Sequence, residues 1–223
     1  NPNNYISFQN SGGSFNTLKN TLLFGTGLLN NHWTVDGRLS KIVSDGYIDR
    51  ASSDLKSYFV STTYWGEKSS LRFNIFSGKE KTYQAWYGVP EELLSTNRTY
   101  NPAGTEKLDN PYEDQVDNYN QTHYQVFYNK EINKKLQWNT ALFTTLGKGY
   151  YEEYKSDVDL ADYNIETNGK IWVPTDIVRR RWLDNQFYGQ IAAISYKDSV
   201  NELTAGGGWT VYDLSLIHIS EPT

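Results

Sequence analysis

The sequence predicts an all-β chain, read as an antiparallel transmembrane β-barrel segment: an open, incomplete barrel of about eight strands. Three observations predict it. The chain carries 18 Tyr and 7 Trp in 223 residues, and aromatic side chains favour strands and interfaces. Stretches of apolar/polar alternation recur, the period-two signature of a strand with one apolar face. The connections between them alternate short and long. Antiparallel strands point alternately up and down, so the short turns gather at one end of the sheet and the long loops at the other. Outer-membrane barrels are built this way, whereas a sandwich has no reason to sort its ends so strictly.

Taken in order, residues 4–10 form the end of one strand, closed by the break Ser11-Gly12-Gly13. Residues 14–25 form the next, and the Gly/Asn-rich stretch 27–31 turns the chain. The cleanest alternation is 32–41. Trp33, Val35, Gly37 and Leu39 fall on one face, and His32, Thr34, Asp36, Arg38 and Ser40 on the other. A fully polar face suits solvent in an ordinary sheet or the inside of a barrel. A loop follows over 43–54, with one helical turn expected within 49–55. The chain returns over 55–65, turns tightly at 66–69 and leaves again over 70–77. The segment 78–120 is expected as a long loop with a short helix at 83–87, ended by Gly88 and Pro90. Loops of that length are usually functional. Strands are expected over 122–132 and 136–146, a third long loop over 147–181, and strands over 182–196 and 202–212. Trp33, Trp65 and Trp138 each lie near a short turn, where an interfacial aromatic girdle is expected.

Composition excludes several classes. There is no Cys, hence no disulfide. No run approaches the ~18 apolar residues of a membrane helix. A net charge of −5 argues against a nucleic-acid partner. No Met occurs, so the chain is expected to be internal to a longer protein or to have lost its leader. The last residues, LSLIHISEPT, match the translation of a transposase adapter used in sequencing libraries. Residues 1–213 are therefore read as the barrel segment, and 214–223 as read-through expected to stand outside the fold.

Several stretches resemble TonB-dependent outer-membrane receptors. They are GTGLLNNHWTVDGRLSKIVSDGYIDRASSDLKSY (25–58), GKEKTYQAWYGVPEELL (78–94), RTYNPAG (98–104), DNYNQTHYQ (117–125), TTLGKGYYEEYK (144–155) and RRRWLDNQFYG (179–189). The resemblance covers most of the chain before residue 214. It implies part of a barrel of about 22 strands that encloses a plug domain, with no plug in this sequence. It also implies a non-enzymatic transporter in the Gram-negative outer membrane, without a cofactor, for a small-molecule ligand such as an iron–siderophore complex. The implied partners are outer-membrane lipid and lipopolysaccharide, and the TonB energy-coupling complex acting through the missing plug.

No catalytic set is visible. His32 and His123 lie on the polar sides of strands and lack a third metal ligand. Glu152 and Glu153 are adjacent, unlike a glycosidase pair facing each other across a sugar. Asp109, Glu113, Asp114 and Asp117 lack the spacing of a calcium loop. The run Arg179-Arg180-Arg181 is either a solvated charge run or a contact for an anion. The ligand candidates are the aromatic and basic loop residues Tyr83, Trp86, Tyr87, Arg98, Tyr100, Tyr112, Tyr150 and Tyr151. Aromatic faces with an Arg suit a flat or anionic ligand. The reading in which they only pack the loops together stays open. So does a second class of function, a soluble all-β carbohydrate-binding or glycoside-processing module, since Tyr and Trp also stack on sugars.

Overall fold

In a computed structural model, residues 3–163, 165 and 174–222 are described. Their strands are β1 (Asn4–Gly13), β2 (Thr17–Thr26), β3 (Trp33–Ser44), β4 (Ser53–Trp65), β5 (Ser69–Tyr83), β6 (Val116–Asn133), β7 (Leu136–Asp159), β8 (Pro174–Lys197) and β9 (Glu202–Pro222). All belong to one nine-stranded sheet in the order β1 to β9, each pair antiparallel. This is the open antiparallel sheet that the sequence predicts, with nine strands in place of about eight.

The connections sort by length as expected, with one exception. Residues 27–32, 66–68, 134–135 and 198–201 turn the chain at one end. Residues 45–52, 84–115 and 160–173 connect strands at the other, together with the tight 14–16 turn between β1 and β2. Phe15 and Asn16 carry that turn in the left-handed region, with φ of 59° and 52°, so the break falls after the expected glycines. At the short end, Asn133 Oδ1 accepts the Lys135 N–H at 2.9 Å and the Leu136 N–H at 3.1 Å. This side-chain mimic of a backbone turn closes the β6–β7 hairpin.

Register separates two faces. Opposed residues Val35–Thr62–Phe73–Val126–Leu142 run across β3 to β7 on one face. Leu39–Tyr58 and Val60–Ile75–Tyr124 share it. Leu39, Phe73 and Leu142 are all more than two-fifths exposed, so no other described residues cover this apolar face. The other face carries Asp36, Arg38, Thr63, Arg72, Asn74, Gln125 and His123. Ser61 donates to Asn74 at 2.8 Å and Asn74 to Gln125 at 3.2 Å, so a polar chain crosses three strands. Trp33 and Trp138 lie on the apolar face near the short turns, beside Tyr64 and Tyr128 at 4.9 and 5.6 Å. Trp65 pairs with Ser70 on the polar face, so the expected girdle contains two of its three tryptophans. From Trp33 to Lys41 the apolar face of β3 is about 27 Å long. A strand tilt of ~40° shortens that to about 20 Å of height, close to the ~25 Å apolar band of a membrane barrel.

Four expectations are corrected. The strands bordering the long loops run further than alternation suggests: β7 and β8 are each 24 residues long. The segment GKGYYEEY reads as loop because of its glycines, yet Gly147 and Gly149 are there for close approach. A Cβ on Gly147 would sit 1.9 Å from the Tyr119 hydroxyl, and one on Gly149 2.6 Å from the Tyr119 Cα. The helix expected at 83–87 is absent. Tyr83 ends β5, and a single 3-10 turn, Glu91–Leu93, follows Pro90. The helical turn expected within 49–55 is absent too, since β4 begins at Ser53. Residues 214–222 do not stand outside the sheet. They continue β9, from Asn185↔Leu214 to Ile177↔Pro222. The tall β8 offers a row of backbone donors and acceptors beyond Gln186, and any extended segment following Asp213 can pair with them.

Candidate functional site

The long-loop end is held together from β5 outward. Tyr83 is 5% exposed and packs with Ala103 and Val116, with Tyr150 against them. Its hydroxyl lies 2.7 Å from the Tyr112 carbonyl and 3.1 Å from that of Ala103, and accepts from Arg50 Nε at 3.2 Å. Arg50 also donates through Nη2 to the carbonyls of Asn101 (2.5 Å) and Ala103 (3.1 Å). The buried Asn101 amide donates to the carbonyls of Asp49 and Gln84, each at 3.0 Å, while its oxygen caps the Ala103 N–H. One guanidinium and one carboxamide therefore tie loop 84–115 to loop 45–52. Burial raises the Tyr83 hydroxyl above the ordinary tyrosine range, against the lowering influence of Arg50.

A second lock joins the same loop to β7 on the side of the apolar face. The Tyr112 hydroxyl donates to Glu152 Oε1 at 2.5 Å, and Arg180 Nε donates to Glu152 Oε2 at 2.5 Å. Glu152 is 4% exposed, so its charge is held by partners rather than by water. Burial, and then donation to Glu152, push the Tyr112 hydroxyl far above its usual range. The Arg180 guanidinium lies 4.9 Å from the Tyr150 ring centre, which also packs on Trp182 at 4.7 Å.

The opposite side of the hairpin, continuous with the polar face, carries a different group. Tyr151 opposes Arg181, and Glu153 opposes Arg179. Trp86, 58% exposed, meets Tyr151 edge-on at 5.9 Å. Arg181 lies 5.8 Å from the Tyr151 ring centre and 3.8 Å from Glu153 Oε2. Arg179 Nη2 donates to that same oxygen at 2.5 Å. Two guanidinium groups thus share one carboxylate. Among the described residues, the cluster of Trp86, Tyr151, Glu153, Arg179 and Arg181 holds two guanidinium groups against one carboxylate, beside two aromatic rings. It is suited to a flat, anionic ligand.

The eight sequence candidates separate accordingly. Tyr83, Tyr112 and Tyr150 are built into the packing beneath and behind the loop. Trp86 and Tyr151 come together at the polar mouth. Tyr87 is 56% exposed on the loop, Arg98 is exposed and Tyr100 half-buried; none of the three joins that cluster by a ring contact among the described residues. The Arg179–Arg181 run is not a solvated patch: Arg180 points to one side of the hairpin, Arg179 and Arg181 to the other. Alternation along a strand predicts that split once 179–181 is known to be strand. His32 and His123 are not a pair. His32 Nδ1 lies 2.6 Å from the Asn30 carbonyl, whereas His123 stacks on Phe76 at 4.3 Å and bonds Thr145 at 2.9 Å. Among the acidic candidates, Asp114 pairs with Lys81 at 3.1 Å. No group of three potential metal ligands forms among the described residues. Arg50, Gln84 and Asn101 carry much of the architecture and have no alternation to betray them. Their one sequence signal is the Asn-Pro-Ala-Gly turn at 101–104.

No family model matches the chain, and no curated protein matches it. Two solved structures of the ferric-catecholate import receptor Fiu from E. coli K12 match its shape. The closed form is 13% identical with a TM-score of 0.67, over 94% of this chain and 32% of that one. The open form is 14% identical with a TM-score of 0.67, over 94% and 34%. The chain thus spans about a third of the length of the structures it matches. The fold is that of a partial outer-membrane β-barrel, all-β and open.

Proposed function

We propose that this chain is part of the barrel wall of a TonB-dependent receptor in the Gram-negative outer membrane, which imports a scarce small-molecule ligand, an iron–siderophore complex. The observation that carries this reading is the shape match to an import receptor across 94% of the chain. The cluster of Trp86, Tyr151 and Arg181 supports it chemically. It lies at the long-loop end, which outer-membrane topology places outside the cell, and a solute too large for a porin must be held there before passage. Tyr87, Arg98 and Tyr100 extend the capture surface along the loop. Energy coupling would come from TonB through a plug domain. The soluble carbohydrate module gains nothing from the sheet. Its apolar face would expose Leu39, Phe73 and Leu142 to water, a patch soluble monomers avoid.

The test is binding of an anionic ferric tris-catecholate to the full-length receptor, read by tryptophan quenching. Trp86→Ala, Tyr151→Ala and Arg181→Gln should each weaken binding about tenfold, the scale of one lost charge-assisted or aromatic contact. The full-length barrel should stay heat-modifiable on a gel in each case. Unchanged affinity in all three variants removes the cluster as the capture surface. Deleting 96–118 outright is a poorer test, because it also removes the buried Asn101 and Val116.

A further inference from the structure

The register row that holds Arg181 and Tyr151 continues to a carboxylate. Arg181 lies directly opposite Tyr151, and Tyr151 directly opposite Asp117 on β6. Directly opposed residues share a face, so one aromatic ring stands between a guanidinium group and an acid. Glu80 lies on that face as well, opposite Tyr119 and diagonal to Asp117, about 7–8 Å away along the diagonal. The register positions flanking the two acids hold Leu55, Tyr119, Thr82 and Tyr151, none of them basic. Both acids are half-buried, and neither forms an ion pair or a hydrogen bond among the described residues. A half-buried carboxylate without a partner costs free energy. The basic end is incomplete too: Nε of Arg179 and Nε of Arg181 are buried with no hydrogen-bond partner among the described residues. Glu153 is taken up by the two arginines, whereas Asp117 and Glu80 stand on the far side of the Tyr151 ring.

We infer that this mouth binds a zwitterionic chelate, with an anionic edge on Arg179 and Arg181 and a primary ammonium group on Asp117 and Glu80. The inference rests on the import reading above and narrows its ligand. Asp117 and Arg181 are two strand spacings apart, about 10 Å, which sets the separation of the two charges across the Tyr151 ring. A bare metal ion does not suit the acid end, because hard cations take about six or more oxygen ligands and two carboxylates offer fewer. An ammonium group has three donors to place and gains from an aromatic face. Asp117 and Glu80 supply acceptors, and the rings of Tyr119 and Tyr151 lie beside them in the register. Tyr119 is held in place by its hydroxyl, which donates to Asn185 Oδ1 at 2.7 Å. A fully anionic chelate is drawn to the arginines but meets two negative charges beyond Tyr151. An ammonium group turns that repulsion into attraction.

The probes are two ferric tris-catecholates on one chelator scaffold, differing only in a pendant primary amine that is free in one and N-acetylated in the other. Affinity for the full-length receptor is read by tryptophan quenching at pH 7, where the free amine is protonated. The wild type should bind the free-amine form about tenfold more tightly, the scale of one charge-assisted hydrogen bond. A Glu80→Gln/Asp117→Asn variant should bind the two forms equally, and the N-acetylated form no less tightly than the wild type does. Asp117→Asn alone should lose part of the preference. Arg181→Gln should weaken both forms alike and keep the preference, because it acts at the other end of the row. Equal affinity of the wild type for the two forms, or an undiminished preference in the double variant, overturns the inference and leaves the import reading standing. Binding of neither form by the wild type overturns both together.

Discussion

The Tyr83 hydroxyl sits so close over Gly104 that a Cβ on that glycine would lie 2.2 Å from it, and 2.8 Å from the Tyr112 carbonyl. Gly104 also has φ of +80°, which an L side chain adopts only under strain. Loop 84–115 therefore closes over Tyr83 without strain only with glycine at this position. Gly104→Ala should destabilise the closed loop by roughly 1–3 kcal/mol, from backbone strain plus a displaced hydrogen bond. Limited proteolysis of the full-length protein should show new cleavage within 84–115 and none in the strands. An uncleaved loop would mean that Tyr83 and Gly104 do not set its closure.

The two faces make a paired prediction. Val126 opposes Phe73 and Leu142 on the apolar face, whereas its neighbour Gln125 opposes Asn74 on the polar face. In the full-length barrel Val126→Arg should cost roughly 2–4 kcal/mol, as a charge facing lipid near mid-depth does. Gln125→Arg should cost much less. Equal costs in chemical denaturation would contradict the assignment of faces.

What the sequence made legible follows from what alternation can report. The 32–41 pattern located β3 and both faces, because a half-buried strand writes its environment every second residue. The pattern fails beyond residue 147, where the strands leave the band and both sides become polar or aromatic. There Tyr150, Glu152 and Arg180 serve one side, and Tyr151, Glu153 and Arg181 the other, with no apolar face to show the period. The candidate site suffered the same loss. Trp86 and Tyr151 stand out in the sequence by their chemistry, but Arg181 is hidden in a run of three identical charges. Arg50 and Asn101 act through backbone carbonyls, which carry no residue identity to read.

The 198–201 turn should be acid-sensitive. The Asp198 carboxylate accepts the N–H groups of Asn201 (2.7 Å) and Val200 (2.9 Å) and the Tyr196 hydroxyl (2.8 Å). Those bonds, the backbone ones first, hold its pKa down at about 2. A carboxyl depressed by folding contributes stability above its ordinary pKa near 4 and loses it as pH falls through the folded value. Hydrogen exchange at Val200 and Asn201 should be flat above pH 4, after correction for intrinsic rates, and protection should fall between about pH 4 and 2. Asp198→Asn should remove the pH dependence.

The segment 214–223 should be dispensable. If it is adapter read-through, β9 gains from it only pairing with the protruding part of β8. Truncating the chain after Asp213 should leave the register from Lys197↔Glu202 to Gln186↔Asp213 unchanged by hydrogen exchange. Amplifying the same locus from genomic DNA should give different residues after Asp213. An identical continuation in the genome would show that the segment is native.

Tyr112 and Glu152 should behave as one unit. Tyr112 donates to a carboxylate that is itself buried and also accepts from Arg180. Removing the donor strands a buried acceptor, and neutralising the acceptor weakens both bonds. Tyr112→Phe and Glu152→Gln should each loosen loop 84–115 by roughly 1–3 kcal/mol. The double variant should cost less than the sum, with a coupling of about 0.5–3 kcal/mol. Alkali offers an independent check. The folded Tyr112 pKa is raised, so its contribution is complete below the ordinary tyrosine value near 10 and is lost only as pH rises through the higher folded value. Ultraviolet titration in the folded protein should therefore show one tyrosinate fewer in Tyr112→Phe only at strongly alkaline pH. The loop should open over that same range. Strict additivity of the two substitutions, or ionisation of Tyr112 near pH 10, would mean that the hydroxyl and the carboxylate do not hold the loop to the wall.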